Sequence, residues 1–171
     1  MKIKKLKLKN KKNADKKKEI IVAVSGGFDP VHKGHVRMFN EAKRLGDKLI
    51  VILNNDNWLR LKKGYVFMDQ EERKEIIESF RAVDEVIMSF HEENTKDISI
   101  CEELKKIRPN IFAKGGDRHS GNIPETPVCE EIGCLIVNEI GHGGKVQSSS
   151  WLVKQAKDNT EKLNTRKKTK K

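Results

Sequence analysis

The chain has 171 residues, 36% of them hydrophobic and 36% charged, with a formal net charge of +11. That length suits one domain around one core, and no apolar run approaches the ~20 residues of a membrane-spanning helix. Three cysteines, Cys101, Cys129 and Cys134, form no CxxC pair, and no secretory signal is visible, so a reduced cytoplasmic chain is expected.

The charge is unevenly placed. Residues 1–18 carry +9 and residues 157–171 carry +5, leaving −3 for residues 19–156. The basicity therefore sits at the two ends. Lys-rich, low-complexity segments bury little apolar surface, so residues 1–18 and 158–171 are expected to be disordered tails around a domain over 19–157. Such tails suit solubility or non-specific contact with polyanions.

Between the ends, strand and helix patterns alternate. Residues 19–25 (EIIVAVS) read as a short, β-branched, buried strand, followed by the turn Gly26-Gly27. Val36, Phe39, Ala42 and Leu45 recur at helical spacing over 34–45, and Gly46 is a candidate C-terminal cap. A second buried strand, KLIVIL, covers 48–53. Asp69 and Glu72 form a capping-box pattern for a helix reaching about residue 80. A third strand is expected over 83–89, a helix over 95–107, a strand over 110–114, a short helix over 124–131 and a strand over 134–137. A last helix should start in Ser148-Ser149-Ser150 and run to about residue 157. This order predicts an α/β fold: a Rossmann-like five-stranded parallel sheet with helices on both faces. Ligands then bind beyond the carboxyl ends of the strands.

The segment richest in chemistry is 25–35, SGGFDPVHKGH. It leaves a strand, turns on two glycines and places His32 and His35 where the next helix begins. Gly26 and Gly27 let a phosphate approach the backbone. A helix start supplies unpaired N–H groups and the positive end of a dipole. Two imidazoles there can donate hydrogen bonds to phosphate oxygens and to charge developing on them. They could instead bind a metal. A third ligand would have to come from His91, His119, His142 or a cysteine, none at a familiar ligand spacing, so no protein-held metal site is expected.

GGFDPVHKGH resembles the signature of the nucleotidyltransferase superfamily marked by a His-x-Gly-His motif, here His32-Lys33-Gly34-His35. Further segments are similar in order and spacing. LGDKLIVILNND (45–56) looks like the second-strand segment of glycerol-phosphate and heptose-phosphate enzymes, and FRAVDEVI (80–87) like a stretch of cytidylyltransferases. AKGGDR (113–118) resembles a turn of heptose-phosphate adenylyltransferases. VQSSSWLVK (146–154) occupies the place of the closing Ser/Thr-rich motif.

The resemblance implies an enzyme that moves a nucleoside monophosphate from CTP or ATP onto a phosphorylated small molecule, such as a sugar or polyol phosphate, and releases pyrophosphate. It assigns His32 and His35 to the triphosphate and the transition state. Gly26, Gly27 and Phe28 would face the nucleotide, with Gly116 and Asp117 past the fourth strand and Ser148, Ser149 and Ser150 cradling phosphate. Lys62 and Lys63 would lie on a basic loop (60–64, RLKKG) hinged at Gly64, Lys63 acting in catalysis and Lys62 on substrate. Arg81 would contact substrate phosphate. The implied cofactor is Mg2+, carried by the nucleotide, and the implied assembly a homodimer. Gly143 stands where many cytidylyltransferases carry an arginine, and Gly-Gly-Asp at 115–117 favours the adenylyl side, whereas FRAVDEVI favours the cytidylyl side; both nucleotides stay open. One competing reading is a non-catalytic nucleotide-binding module tethered to nucleic acid by its basic tails. A dinucleotide oxidoreductase is weaker, because the turn lacks GxGxxG.

Overall fold

The computed structural model describes residues 18–115, 123–141 and 146–168. Five strands, β1 (Ile21–Gly26), β2 (Lys48–Leu53), β3 (Glu85–Met88), β4 (Ile111–Gly115) and β5 (Leu135–Ile140), pair in parallel in the order β3-β2-β1-β4-β5. The helices are α1 (Lys33–Lys43), α2 (Asp56–Lys63), α3 (Gln70–Glu78), α4 (Cys101–Ile107), α5 (Thr126–Ile132) and α6 (Ser149–Lys168). The expected α/β, Rossmann-like parallel sheet is what forms.

Strand alternation divides the core into two layers. Val22 and Val24 of β1 face Met38, Phe39 and Ala42 of α1 and Ile77 of α3. Ala23 of β1 and Ile52 of β2 face Leu104 of α4 and Val128 and Cys129 of α5. Burial on both faces explains why KLIVIL reads as a continuous apolar run: only Lys48 of the six is not fully buried. Phe39 and Phe112 are both at most 1% exposed, and truncating such a side chain to alanine costs about 3–5 kcal/mol.

The topology sets where a ligand can sit. From β1 the chain builds outward through β2 and β3, then returns past β1 to lay down β4 and β5. The order reverses at the β1–β4 border, and the crevice opens beyond the carboxyl ends of those strands.

Several boundaries differ from the sequence reading. α2 replaces the expected basic loop: residues 60–63 are its last turn, and Gly64 is its left-handed C-cap (φ 78°), not a hinge. Asn55 starts that helix by accepting from the Trp58 N–H at 3.0 Å. The helix expected over 95–107 begins only at Cys101. Upstream, Asp97 Oδ1 accepts from the Ser99 N–H at 2.8 Å, a local bond that competes with helix. Gly46 is not a left-handed cap. An added Cβ there would lie 2.6 Å from the Ile20 carbonyl oxygen, so the glycine serves a close backbone approach. β5 runs on to Ile140, with a register shift against β4 between Ala113 and Gly115.

The carboxyl-terminal expectation is also corrected. α6 extends through Lys168, so most of 158–171 is helical and not a disordered tail. Residues 154–164 are exposed, so propensity sustains this helix: Ala156, Lys157, Glu161, Lys162 and Leu163 are good helix formers, and no glycine or proline intervenes. Residues 1–17 and 169–171 lie outside the described residues. No helix among the described residues is long and apolar enough to cross a membrane.

Candidate active site

A cavity of about 520 Å3 opens at the reversal point. Its walls come from the end of β1 (Gly26, Gly27, Phe28), the start of α1 (His32, His35), Lys63, and the start of α6 (Ser148, Ser149, Ser150). Two helix N-termini thus converge on one space. Each contributes N–H groups without intrahelical partners and a partial positive charge, a setting that favours an anion.

The two histidines fix each other through the helix start. His32 is the N-cap of α1, its Nδ1 accepting from the Gly34 N–H at 3.1 Å. His35 reaches back, its Nδ1 accepting from the His32 N–H at 3.3 Å. Each Nδ1 is therefore an unprotonated acceptor, so the ring proton of the neutral imidazole sits on Nε2; this tautomer is assigned from the hydrogen-bond pattern. The rings stack with centroids 3.7 Å apart. Phe28 supports the stack from below, edge-on to His35 at 4.9 Å. Phe28 is itself buried and in a left-handed conformation (φ 48°).

Electrostatics hold both rings neutral. Burial is the main force pulling the His35 pKa down to about 3, with the neighbouring His32 and Lys63 pushing the same way. Burial also lowers His32, opposed by its backbone hydrogen bond and assisted by Lys63. Both therefore enter the site as uncharged Nε2–H donors at neutral pH.

Lys63 supplies the positive charge. It is half-buried, lines the cavity, and donates from Nζ to the Asp29 carbonyl oxygen at 2.9 Å. Burial lowers its pKa; the Asp29 carboxylate opposes that and the Arg73 cation adds to it. Lys62, one residue earlier, is exposed and does not line the cavity. The expectation of two lysines swinging on a loop is thus corrected to one lysine held on a helix end. Ser149 ties α6 to the turn after β1, its hydroxyl donating to the Pro30 carbonyl at 2.9 Å.

Arg81 is not brought to the site. It is exposed, in the turn between α3 and β3, at the amino end of the sheet. Its neighbour Asp84 is structural there, accepting from the Leu49 N–H at 2.6 Å and pairing with Lys43. Gly116 and Asp117 lie outside the described residues, as do His119, His142 and Gly143.

Two supporting residues escaped the sequence reading. Asp29 is fully buried, and its carboxylate accepts from the N–H groups of Phe67 (2.9 Å) and Met68 (2.8 Å), anchoring the segment after α2. Arg73 is also fully buried. Its Nη1 donates to the carbonyls of Gly27 (2.6 Å) and Asn54 (2.8 Å), and its Nη2 pairs with Asp56 at 2.6 Å. It thereby clamps the ends of β1 and β2. Asp29 lay in plain view inside FDP, but nothing local marks Arg73, a lone arginine in the acidic stretch QEERKE.

Among the described residues no three His, Cys, Asp or Glu side chains gather to hold a metal. The carboxylate of Asp29, in the turn after β1, is already committed to two N–H groups.

The sequence profile described as Cytidylyltransferase-like matches residues 23–133. The FAD synthase of Picrophilus torridus is 30% identical over 131 residues, covering 75% of this chain and 90% of that one. The FAD synthase of Ferroglobus placidus is 37% identical over 98 residues, and the bifunctional protein HldE of Hydrogenovibrio crunogenus 40% identical over 106. The matched region spans 60% of the former protein's length and 21% of the latter's. The crystal structure of the lipopolysaccharide core biosynthesis protein from Thermoplasma volcanium GSS1 superposes with a TM-score of 0.60 at 26% identity, covering 73% of this chain and 99% of that one. With its parallel sheet, its paired histidines at the β1 turn and a profile match over most of its length, this chain belongs to the cytidylyltransferase-like family.

Proposed function

We propose that this protein is a nucleotidyltransferase that moves an adenylyl group from ATP, bound with Mg2+, onto a phosphate monoester and releases pyrophosphate. The observation that carries this reading is the pair of neutral, Nε2-protonated histidines stacked beside Lys63 where two helix N-termini meet. That set of donors is built for a polyphosphate. Relatives named FAD synthase and HldE favour ATP over CTP, and FMN or a heptose phosphate as acceptor.

The chemistry needs no protein nucleophile. An oxygen of the acceptor phosphate attacks the α-phosphorus, the new P–O bond forms, and the bond from the α-phosphorus to the bridging oxygen breaks. The electron pair leaves on pyrophosphate. A phosphate monoester is already an anionic nucleophile at neutral pH, so no general base is required. Catalysis is then positioning and neutralisation of moving charge. His32 and His35 donate from Nε2 to phosphate oxygens whose charge rises in the transition state. Lys63 and the N–H groups starting α1 and α6 receive the departing pyrophosphate. Because the donors are uncharged, they gain most as charge develops and do not overbind the ground state.

A pyrophosphate-release assay tests this, with each of the four nucleoside triphosphates against FMN, a heptose phosphate, glycerol phosphate and ethanolamine phosphate. Release with ATP that requires an acceptor is expected. No release from any pair would defeat the proposal.

A further inference from the structure

Asp29 grips the chain after α2 at two points with two different groups. Its backbone carbonyl accepts from Lys63 Nζ at 2.9 Å, where α2 ends. Its carboxylate accepts from the Phe67 N–H on one oxygen and the Met68 N–H on the other, just before α3 begins. Both ends of the segment 63–68 are therefore tied to one residue. Arg73 completes the hold on Met68, its Nε donating to that residue's carbonyl at 2.9 Å. None of residues 64–68 is buried, so these main-chain bonds, more than side-chain packing, fix the segment beside the main cavity.

The arrangement does more than bracket a loop. An ammonium group has three N–H donors. With one spent on the Asp29 carbonyl, Lys63 keeps two for the cavity that it lines. A bracket needs only acceptors, which a neutral side chain also provides. Asp29 is instead a carboxylate residue with no exposed surface, and burying a charge is costly without partners. What the charge adds is its field on Lys63.

We propose that Asp29 is a positioning residue that acts through Lys63, its carbonyl aiming the ammonium group into the main cavity and its carboxylate holding the segment that carries it. This rests on the polyphosphate-binding role given to Lys63 above. The charged or titratable groups facing Lys63 are Asp29 in the turn after β1, His32 and His35 of α1, and Arg73 of α3. Burial lowers the Lys63 pKa, the Asp29 carboxylate opposes this, and Arg73 adds to the lowering. The two histidines are neutral. Asp29 is thus the group on this side of the balance that favours the protonated amine, and its loss should let Lys63 release its proton at lower pH.

Calorimetric titration of MgATP into the full chain across neutral and alkaline pH tests this without relying on turnover. The proteins are wild type, Asp29→Asn, Lys63→Ala and the double variant. Wild-type affinity is expected to fall at alkaline pH as Lys63 deprotonates, and that fall should be absent in Lys63→Ala. In Asp29→Asn it should come about one pH unit lower, the small end of the effect of a nearby opposite charge. Between the two limbs the variant should bind up to about ten-fold more weakly than wild type. In the Lys63→Ala background the same substitution should change affinity by no more than about twofold. A residue that merely braced the turn would weaken binding equally at every pH and in both backgrounds, which would overturn the proposal. Should Asp29→Asn fail to fold, Asp29→Ser is read in the same way, since its smaller side chain leaves room for a water between it and the two N–H groups. Failure of both to fold would make Asp29 a structural residue and also overturn the proposal. Absence of MgATP binding by wild type would overturn both this proposal and the transfer reading. If the pH shift is found but no acceptor supports pyrophosphate release, the transfer reading falls and the role of Asp29 stands.

Discussion

Gly34→Ala separates the fold from the chemistry more cleanly than removing a histidine. A Cβ at Gly34 would lie 2.9 Å from His32 Cε1 and 3.0 Å from His32 Nδ1. Contacts that short force the imidazole aside by several tenths of an ångström. The movement breaks the 3.1 Å bond from the Gly34 N–H and disturbs the 3.7 Å stack on His35. His32 then loses both its fixed tautomer and its aim. The expected cost is that of losing one transition-state donor, about 10²-fold in kcat. Stability should move the other way or not at all, because alanine inside a helix gains about 0.5–1 kcal/mol over glycine, against a lost hydrogen bond of about 1 kcal/mol. The assay is steady-state pyrophosphate release alongside a thermal melt. Wild-type turnover in a folded Gly34→Ala protein would refute the role given to the His32–Gly34 contact.

The other predictions concern charge. Folded His35 refuses a proton down to about pH 3, whereas the unfolded chain takes it up near ~6.5; its contribution to stability is complete above ~6.5 and is lost as pH falls through that window, by up to ~1.4 kcal/mol per pH unit. Denaturant melts at pH 7 and pH 5 should therefore show wild type losing ground to His35→Gln on acidification; a pH-independent difference would contradict the burial. Lys63→Ala should lower kcat for the nucleotide by about ten-fold or more, while Lys62→Ala and Arg81→Ala stay within about twofold, as ordinary surface substitutions do; equal effects in all three would remove Lys63 from the site. A chain of residues 18–168 should keep its turnover and lose most of its salt-dependent retention on heparin, since that term tracks the number of charges neutralised. Light scattering of the full chain should give a dimer mass; a monomer would refute that assembly.

Much of this was legible because the physics was local. KLIVIL, buried on both faces, and the apolar run at the start of β1 announced a parallel sheet. SGGFDPVHKGH named the turn, the helix start and both histidines, and the three serines at 148–150 marked the start of α6. α2 was invisible for an equally physical reason: DNWLRLKK buries only Leu59, so no apolar stripe distinguished it from a basic loop. Its missed helical phase is what placed Lys62 in the site beside Lys63. Arg73 acts across the chain, 46 residues from the Gly27 carbonyl it holds, and no spacing rule reaches that far. Arg81 misled because a motif match says nothing about which end of the sheet a residue occupies.

The central claim, transfer of a nucleotidyl group, is tested most directly by following phosphorus. ATP labelled separately at the α and γ positions is incubated with Mg2+ and the acceptor that supports pyrophosphate release. The α label is expected in a product joined to the acceptor through a phosphoanhydride, and the γ label only in pyrophosphate. Label from the γ position on the acceptor, or an α label that never leaves the nucleotide pool, would contradict the mechanism at its root.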